Sequence, residues 1–212
     1  MSTADDARFW DRVSRRYAKA RISDQGGYDR TLQRTRELLS QNDRVLELGC
    51  GTGSTALRLA DGVASYLATD ISEKMIGIAE DKHAAAPVPG LTFRTATAGI
   101  IAQELERYDK VLGFNYLHLV RDPQIVLRHI HDLLLPGGLF ISKTPCLGDM
   151  NVLVRSVLLP VMGVVGLAPH VTVLGTHDLT DLIRSAGFEI VAAEKHATKA
   201  RDARPFVLAR KA

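Results

Sequence analysis

Cysteine is scarce in this 212-residue chain, which holds only Cys50 and Cys146 and no C-x-x-C spacing. That excludes a disulfide framework and a cysteine-based zinc site, and makes a reducing cytoplasm the expected setting. Long apolar runs are missing too. The run Val157–Ala168 has twelve residues and is broken by Pro160, Gly163 and Gly166, well short of the ~18–20 needed to cross a bilayer. Ser2-Thr3-Ala4-Asp5-Asp6 opens the chain without the apolar stretch of a signal peptide, so a soluble protein is expected. A strong charge of one sign is also lacking: the net charge is +3. It is uneven, however, with residues 1–40 at +3, 41–194 at −5 and 195–212 at +5. Basic ends of this kind suit an acidic partner, a membrane surface or RNA, or are simply solvated.

With 46% hydrophobic residues, the chain is long enough for one domain burying roughly 70% of its unfolded surface. Its organising stretch is Val45-Leu46-Glu47-Leu48-Gly49-Cys50-Gly51-Thr52-Gly53. An apolar strand carrying one acid runs into three glycines at alternate positions, and a helical pattern starts at Ser54. Glycine permits dihedrals that a Cβ forbids and lets a ligand press on bare backbone, while a helix start favours an anionic group. No lysine follows Gly53, which excludes a phosphate-gripping P-loop, and Ser54 stands where G-x-G-x-x-G needs its third glycine. Glu47 would repel a dinucleotide phosphate and suit an amine. A second strand, 63–70, ends on Asp70, 23 positions after Glu47. An acid there accepts hydrogen bonds from ribose hydroxyls in doubly wound sheets; the competing reading is a helix cap, for which Ser72 is already a candidate.

The run E-L-G-C-G-T-G resembles the first motif of the class I S-adenosylmethionine-dependent methyltransferases, and Asp70-Ile71-Ser72-Glu73-Lys74-Met75 matches that family's D-x-S-x-x-M. Asp109 at the start of a strand at 108–114, and Leu135-Pro136-Gly137-Gly138-Leu139-Phe140-Ile141, which resembles the family's L-x-P-G-G turn into a fifth strand, continue the match. Four motifs stand in family order over 45–141. The resemblance implies S-adenosylmethionine as cofactor and S-adenosylhomocysteine as product. It implies contacts from the loop Glu47, Leu48, Gly49, Cys50, Gly51, Thr52 and Gly53. Asp70 would hold the ribose, Ile71 and Met75 would flank the adenine, and Thr97, Ala98, Asn115 and Tyr116 would complete the site. Thr97 departs from the family, which commonly has an aspartate for the adenine amino group; an uncharged hydroxyl makes a weaker bond. F-W-D-x-x-x-x-x-Y at Phe9–Tyr17 looks like the family's N-terminal lid, with Tyr17 near the cofactor.

Pattern and resemblance together predict an α/β, Rossmann-like doubly wound sheet of seven strands with the last antiparallel. Helices are expected at 5–20, 28–40, 72–86, 122–135 and 176–186, with Gly26-Gly27 breaking the chain into a hinge. The whole of 1–212 reads as one methyltransferase domain, with 1–40 as a helical lid and 147–176 as an apolar insertion capping the acceptor. Methyl transfer from a sulfonium needs proximity, alignment and a dry pocket, and a base only where the acceptor arrives protonated. His118, just past the fourth strand, is the candidate base, against a packing role. His129 and His131 point to different sides of a helix, and His170 and His177 fit no metal template, so no metal is expected. Cys50 reads as a small filler rather than a reactive thiol. Asn115-Tyr116-Leu117-His118 lacks the prolines of [DN]-P-P-[YF], which argues against methylation of a flipped base. The leading expectation is therefore a small-molecule methyltransferase acting on a hydrophobic acceptor, such as a quinone precursor, lipid or aromatic metabolite, with no nucleic-acid partner. An RNA or protein methyltransferase and an NAD-dependent oxidoreductase are the alternatives. Residues 152–168 are the candidate contact for a membrane or a second subunit.

Overall fold

The computed structural model of the chain describes residues 2–149, 170–198 and 203–212. The apolar run Val157–Ala168, the candidate contact at 152–168 and most of the insertion at 147–176 lie outside the described residues. Seven strands among those described form one sheet: β1 (Arg44–Leu48), β2 (Ser65–Asp70), β3 (Leu91–Thr95), β4 (Tyr108–Phe114), β5 (Leu134–Lys143), β6 (Phe188–Glu194) and β7 (Phe206–Lys211). Their order is β3-β2-β1-β4-β5-β7-β6, with β7 antiparallel to β5 and β6 and the remaining pairs parallel. The sheet has the predicted strand number and the predicted reversed final strand. From β1 the chain steps outward to β2 and β3, then returns to the other side as β4. A crevice opens at that switch point, outside the carboxyl ends of β1 and β4.

Helices α1 (Thr3–Ala18), α2 (Gln25–Leu38), α3 (Ala56–Leu59), α4 (Glu73–Ala85), α5 (Ala98–Ile101), α6 (Pro123–Leu133) and α7 (Thr176–Ser185) cover the sheet. Leu46, Leu48, Val111 and Phe140 pack with Leu127, Ile130 and Leu133 of α6 and Leu179 and Ile183 of α7. On the opposite face Val45, Tyr66, Leu112 and Ile141 pack with Leu32 of α2, Ala56 and Leu59 of α3 and Ile76 of α4. Because both faces are covered, β1 reads as an apolar run rather than an alternation. Each fully buried Leu or Val in it contributes on the order of 1.5–3 kcal/mol. Glu47 interrupts that run at 2% exposure, a position where a carboxylate opposes packing and so points to another role.

Three expectations change. Gly26-Gly27 is no break, because both residues lie in the first turn of α2. The carboxylate of Asp24 caps that helix through the Gly27 N–H at 3.0 Å, and a Cβ on Gly27 would fall 2.4 Å from Asp24 Oδ2. The helix after the glycine loop is a single turn, α3, continued by a 3₁₀ turn at Ala60–Gly62. Residues 135–138 lie within β5, as an irregularity between the Tyr108–Leu134 and Lys110–Leu139 pairs, since Pro136 cannot donate to the ladder.

Candidate functional site

Gly49, Gly51 and Gly53 all take positive φ, at 70°, 56° and 73°, which a side chain would resist. Beside the expected ligand, the protein's own groups need that space. A Cβ on Gly49 would sit 2.7 Å from the Tyr116 ring, and one on Gly53 would sit 2.8 Å from both Ala79 and Phe93. Two of the three glycines thus admit the protein's own groups. Above Gly51 lies the Tyr17 ring, 3.6 Å from where a Cβ would be. The far end of the loop is gripped by Lys82, whose Nζ donates to Thr52 O at 2.8 Å, Thr52 Oγ1 at 2.9 Å and Ser54 Oγ at 3.1 Å.

Two adjoining cavities meet over this loop. The first, about 340 Å³, is lined by Asp70, Ile71, Met75, Thr97 and Ala98 with Trp10 of α1. The second, about 320 Å³, is lined by Glu47, Cys50, Thr52, Tyr28, Thr31 and Lys143. Tyr17, Gly49, Phe114 and Asn115 line both. The two acids therefore occupy separate cavities joined at a seam, where the sequence suggested one shared cleft. Glu47 points to the α2 face beside Tyr66, while Leu46 and Leu48 point to the other. At the seam Asn115 has φ 51°, a left-handed conformation that asparagine tolerates and that concentrates at functional sites.

The carboxylates are held differently. Asp70 accepts from the Gly51 N–H and the Ser72 N–H, each at 2.9 Å. Burial pushes its carboxyl above the ordinary carboxylate range, against the pull of those N–H groups. With about four lone-pair sites on a carboxylate, capacity remains for two ligand hydroxyls. Ser72 Oγ caps α4 through Met75 N at 3.1 Å, so Asp70 is not needed as the helix cap. Glu47 accepts from Tyr66 Oη at 2.8 Å, and burial raises its carboxyl to about 7. Burial also drives the Cys50 thiol well above its ordinary range, as suits a filler rather than a nucleophile.

Helix α1 closes the first cavity with polar latches beside Trp10 and Tyr17, which line it. Its buried residues are Asp6 and Ser14, while Tyr17 remains 49% exposed. Asp6 receives Arg121 in a bidentate pair at 2.7 and 2.8 Å, and Asp11 accepts from Ser72 Oγ at 2.6 Å. Trp10 meets Tyr17 edge-on with ring centroids 6.0 Å apart.

Of the residues singled out from the sequence, Tyr17, Glu47, Leu48, Gly49, Cys50, Gly51, Thr52, Asp70, Ile71, Met75, Thr97, Ala98, Asn115 and Tyr116 line one or both cavities. Gly53 does not; it packs on Ala79 and Phe93. His118 lines neither, and among the described residues its Nδ1 has no hydrogen-bond partner. Burial lowers its pKa to about 4, which makes it a weak base near neutral pH. His170 bonds Thr172 at 3.2 Å, and neither it nor His177 lines a cavity. Thr97 caps α5 through Ile100 N at 3.2 Å. Arg121, His129, Thr31 and Lys143 were not legible as site residues. Lys143 alone carried a signal, its place at the carboxyl end of a predicted strand.

A family model described as a methyltransferase domain matches residues 15–193. A ubiquinone biosynthesis O-methyltransferase from Ruegeria pomeroyi is 33% identical over 178 residues, covering 78% of this chain and 67% of that protein. Its counterpart from Cereibacter sphaeroides strain KD131 is 32% identical over 160 residues, covering 70% of this chain and 61% of that one. The chain thus spans about two thirds of the length of these relatives. The crystal structure of magnesium protoporphyrin IX methyltransferase from Synechocystis PCC 6803 with bound SAH superposes with a TM-score of 0.70 at 20% identity, covering 98% and 96% of the two chains.

Proposed function

The chain belongs to the methyltransferase-domain family, and from that premise we propose that it transfers a methyl group from S-adenosylmethionine to an oxygen of a small hydroxylated acceptor. One observation carries the reading: Asp70 and Glu47 stand on opposite sides of the Gly49 seam, one in each cavity. A ligand lying across that seam meets a hydroxyl acceptor on one side and an amine acceptor on the other. S-adenosylmethionine has that polarity, with a ribose diol at one end and an ammonium at the other. The cofactor supplies an electrophilic methyl on a cationic sulfur, open to in-line displacement.

This chain's residues supply the rest. Asp70 accepts the ribose hydroxyls, Ile71 and Met75 flank the adenine, and Thr97 Oγ1 takes its amino edge. Ionised Glu47 faces the ammonium, and Asn115 and Tyr116 bound the reacting centre at the seam. In this reading the N-terminal segment acts as a lid through α1, latched by Asp6–Arg121. The relatives' names support a quinone-type acceptor methylated on oxygen. A nicotinamide dinucleotide fits less well, because Glu47 would stand near its pyrophosphate. Calorimetry tests the reading: S-adenosylhomocysteine is expected to bind and NAD not to, and the reverse order overturns it.

A further inference from the structure

The first cavity has a wall built from α6. Ile125, Val126 and His129 line it, together with Thr97, Ala98 and Gly99 from the segment that follows β3. Leu127, Ile130 and Leu133 of the same helix are buried in the core. Ile125 and His129 lie one turn apart on the neighbouring face, so their side chains reach the cavity together. Among the described residues His129 is the one histidine that lines either cavity.

The ring of His129 stands over Gly99. A Cβ on that glycine would lie 3.2 Å from His129 Cε1, 3.4 Å from His129 Nδ1 and 3.8 Å from Thr97 Oγ1. An imidazole nitrogen and a hydroxyl thus stand within 4 Å of one point at the cavity edge. Gly99 belongs to α5 and has no left-handed φ, so the backbone does not ask for glycine there, and alanine would suit a helix better. What the missing side chain provides is room between the two groups.

Both groups have an acceptor to spend in that room. Thr97 Oγ1 takes the Ile100 N–H at 3.2 Å, which leaves one of a hydroxyl's two lone pairs. A neutral imidazole with its proton on Nε2 keeps a lone pair on Nδ1. Among the described residues no hydrogen bond or ion pair engages His129. Two acceptors converging on one place suit a nitrogen that carries two hydrogens, as an exocyclic amine does.

Resting on the methyltransferase reading above, we propose that His129 reads the adenine base: Nδ1 accepts one hydrogen of the 6-amino group, Thr97 Oγ1 accepts the other, and Gly99 leaves the amine its place between them. Thr97 alone would accept one amino hydrogen and leave the second unpaired beneath α1, and an unmet buried donor costs more than one bond returns. His129 removes that cost. A base with a bare hydrogen or a carbonyl at that carbon has no hydrogen to give to either acceptor, so the pair also selects adenine against other purines.

Calorimetry with two ligands tests this: S-adenosylhomocysteine, and its analogue carrying purine in place of adenine, which lacks only the 6-amino group. The wild type should prefer the adenine form about a hundredfold. His129→Leu and His129→Ala remove the acceptor with and without the bulk of the ring. Each should weaken S-adenosylhomocysteine about tenfold more than it weakens the analogue. His129→Gln, whose side-chain carbonyl is again an acceptor, should recover part of the preference. Gly99→Ala fills the place of the amine and leaves both acceptors in the chain, and it should cut the preference in the same way while thermal unfolding shows the fold intact. Equal losses on the two ligands in the His129 variants would make the ring a packing group against α5 and overturn the assignment. A lost preference in Gly99→Ala alone would leave the amine to Thr97 and overturn it too. A wild type that binds both ligands alike overturns the reading of the amine and leaves the cofactor site standing; no binding of S-adenosylhomocysteine brings down the methyltransferase reading as well.

Discussion

The two cavities that meet at Gly49 hold their acids by opposite means. In the first, Asp70 is fixed by backbone N–H groups of Gly51 and Ser72, both close to it in the tertiary turn and independent of side-chain identity. In the second, Glu47 rests on one phenol, Tyr66, and its surroundings come from α2, β5 and the segment after β6. Backbone donors make a site rigid and legible. Side chains from distant segments make a site tunable, because each member can change separately.

The sharpest way to break this contrast is to remove Asp70. Asp70→Ala takes away the ribose acceptor and leaves two N–H groups without it, so S-adenosylhomocysteine affinity should fall roughly 30- to 150-fold, or about 2–3 kcal/mol. An unchanged calorimetric constant would remove Asp70 from the site.

Glu47 should instead make the second cavity pH-dependent. Its carboxyl titrates near 7 because burial disfavours the charge, and only the ionised form attracts an ammonium. Affinity for S-adenosylhomocysteine should therefore be level above pH 7 and fall by up to about tenfold per unit below it, with Glu47→Gln flat across the range. The effect on stability has the opposite sign. A raised folded-state value means that ionisation disfavours the fold, so stability is greatest below the unfolded value of 4.5 and is lost as pH rises through about 7. Relative to Glu47→Gln, the wild type should lose about 3 kcal/mol across that window in urea titrations. Parallel pH curves for the two proteins would contradict both.

A smaller effect is expected at the lid. Arg121→Ala leaves the carboxylate of Asp6, 8% exposed, without its bidentate partner. It should cost about 1–2 kcal/mol of stability and speed S-adenosylhomocysteine release about fivefold, measured by stopped-flow fluorescence of Trp10. If the release rate is unchanged, α1 covers the cavity without gating it.

The smallest effect is predicted for His118. Standing outside both cavities, with its pKa lowered to about 4, it should tolerate change to Gln with turnover within about twofold. A loss above tenfold would restore it as the base.

Legibility follows the same division. Glu47, Asp70, Ile71, Met75 and the glycine loop were readable because each lies within a few residues of a strand end, where position in the sequence fixes position in the crevice. Strand β4 matched its predicted bounds, 108–114, for a related reason: a short apolar run bounded by turn residues leaves one conformation that buries it. The Gly26-Gly27 break failed because Asp24 supplies a cap that two glycines do not advertise. The polar latches of α1 were missed because Asp6 and Arg121 are 115 residues apart.

By itself, then, the order of residues determined the individual strands, the loop and the two acids, since periodicity and turn chemistry act over short distances, while the reversed final strand was expected only with the family resemblance beside the pattern. Only tertiary structure decided that the acids face separate cavities, that Tyr116 fills the space over Gly49, and that His129 stands over Gly99. Those outcomes depend on side chains that distant segments bring together, and no local pattern records such contacts.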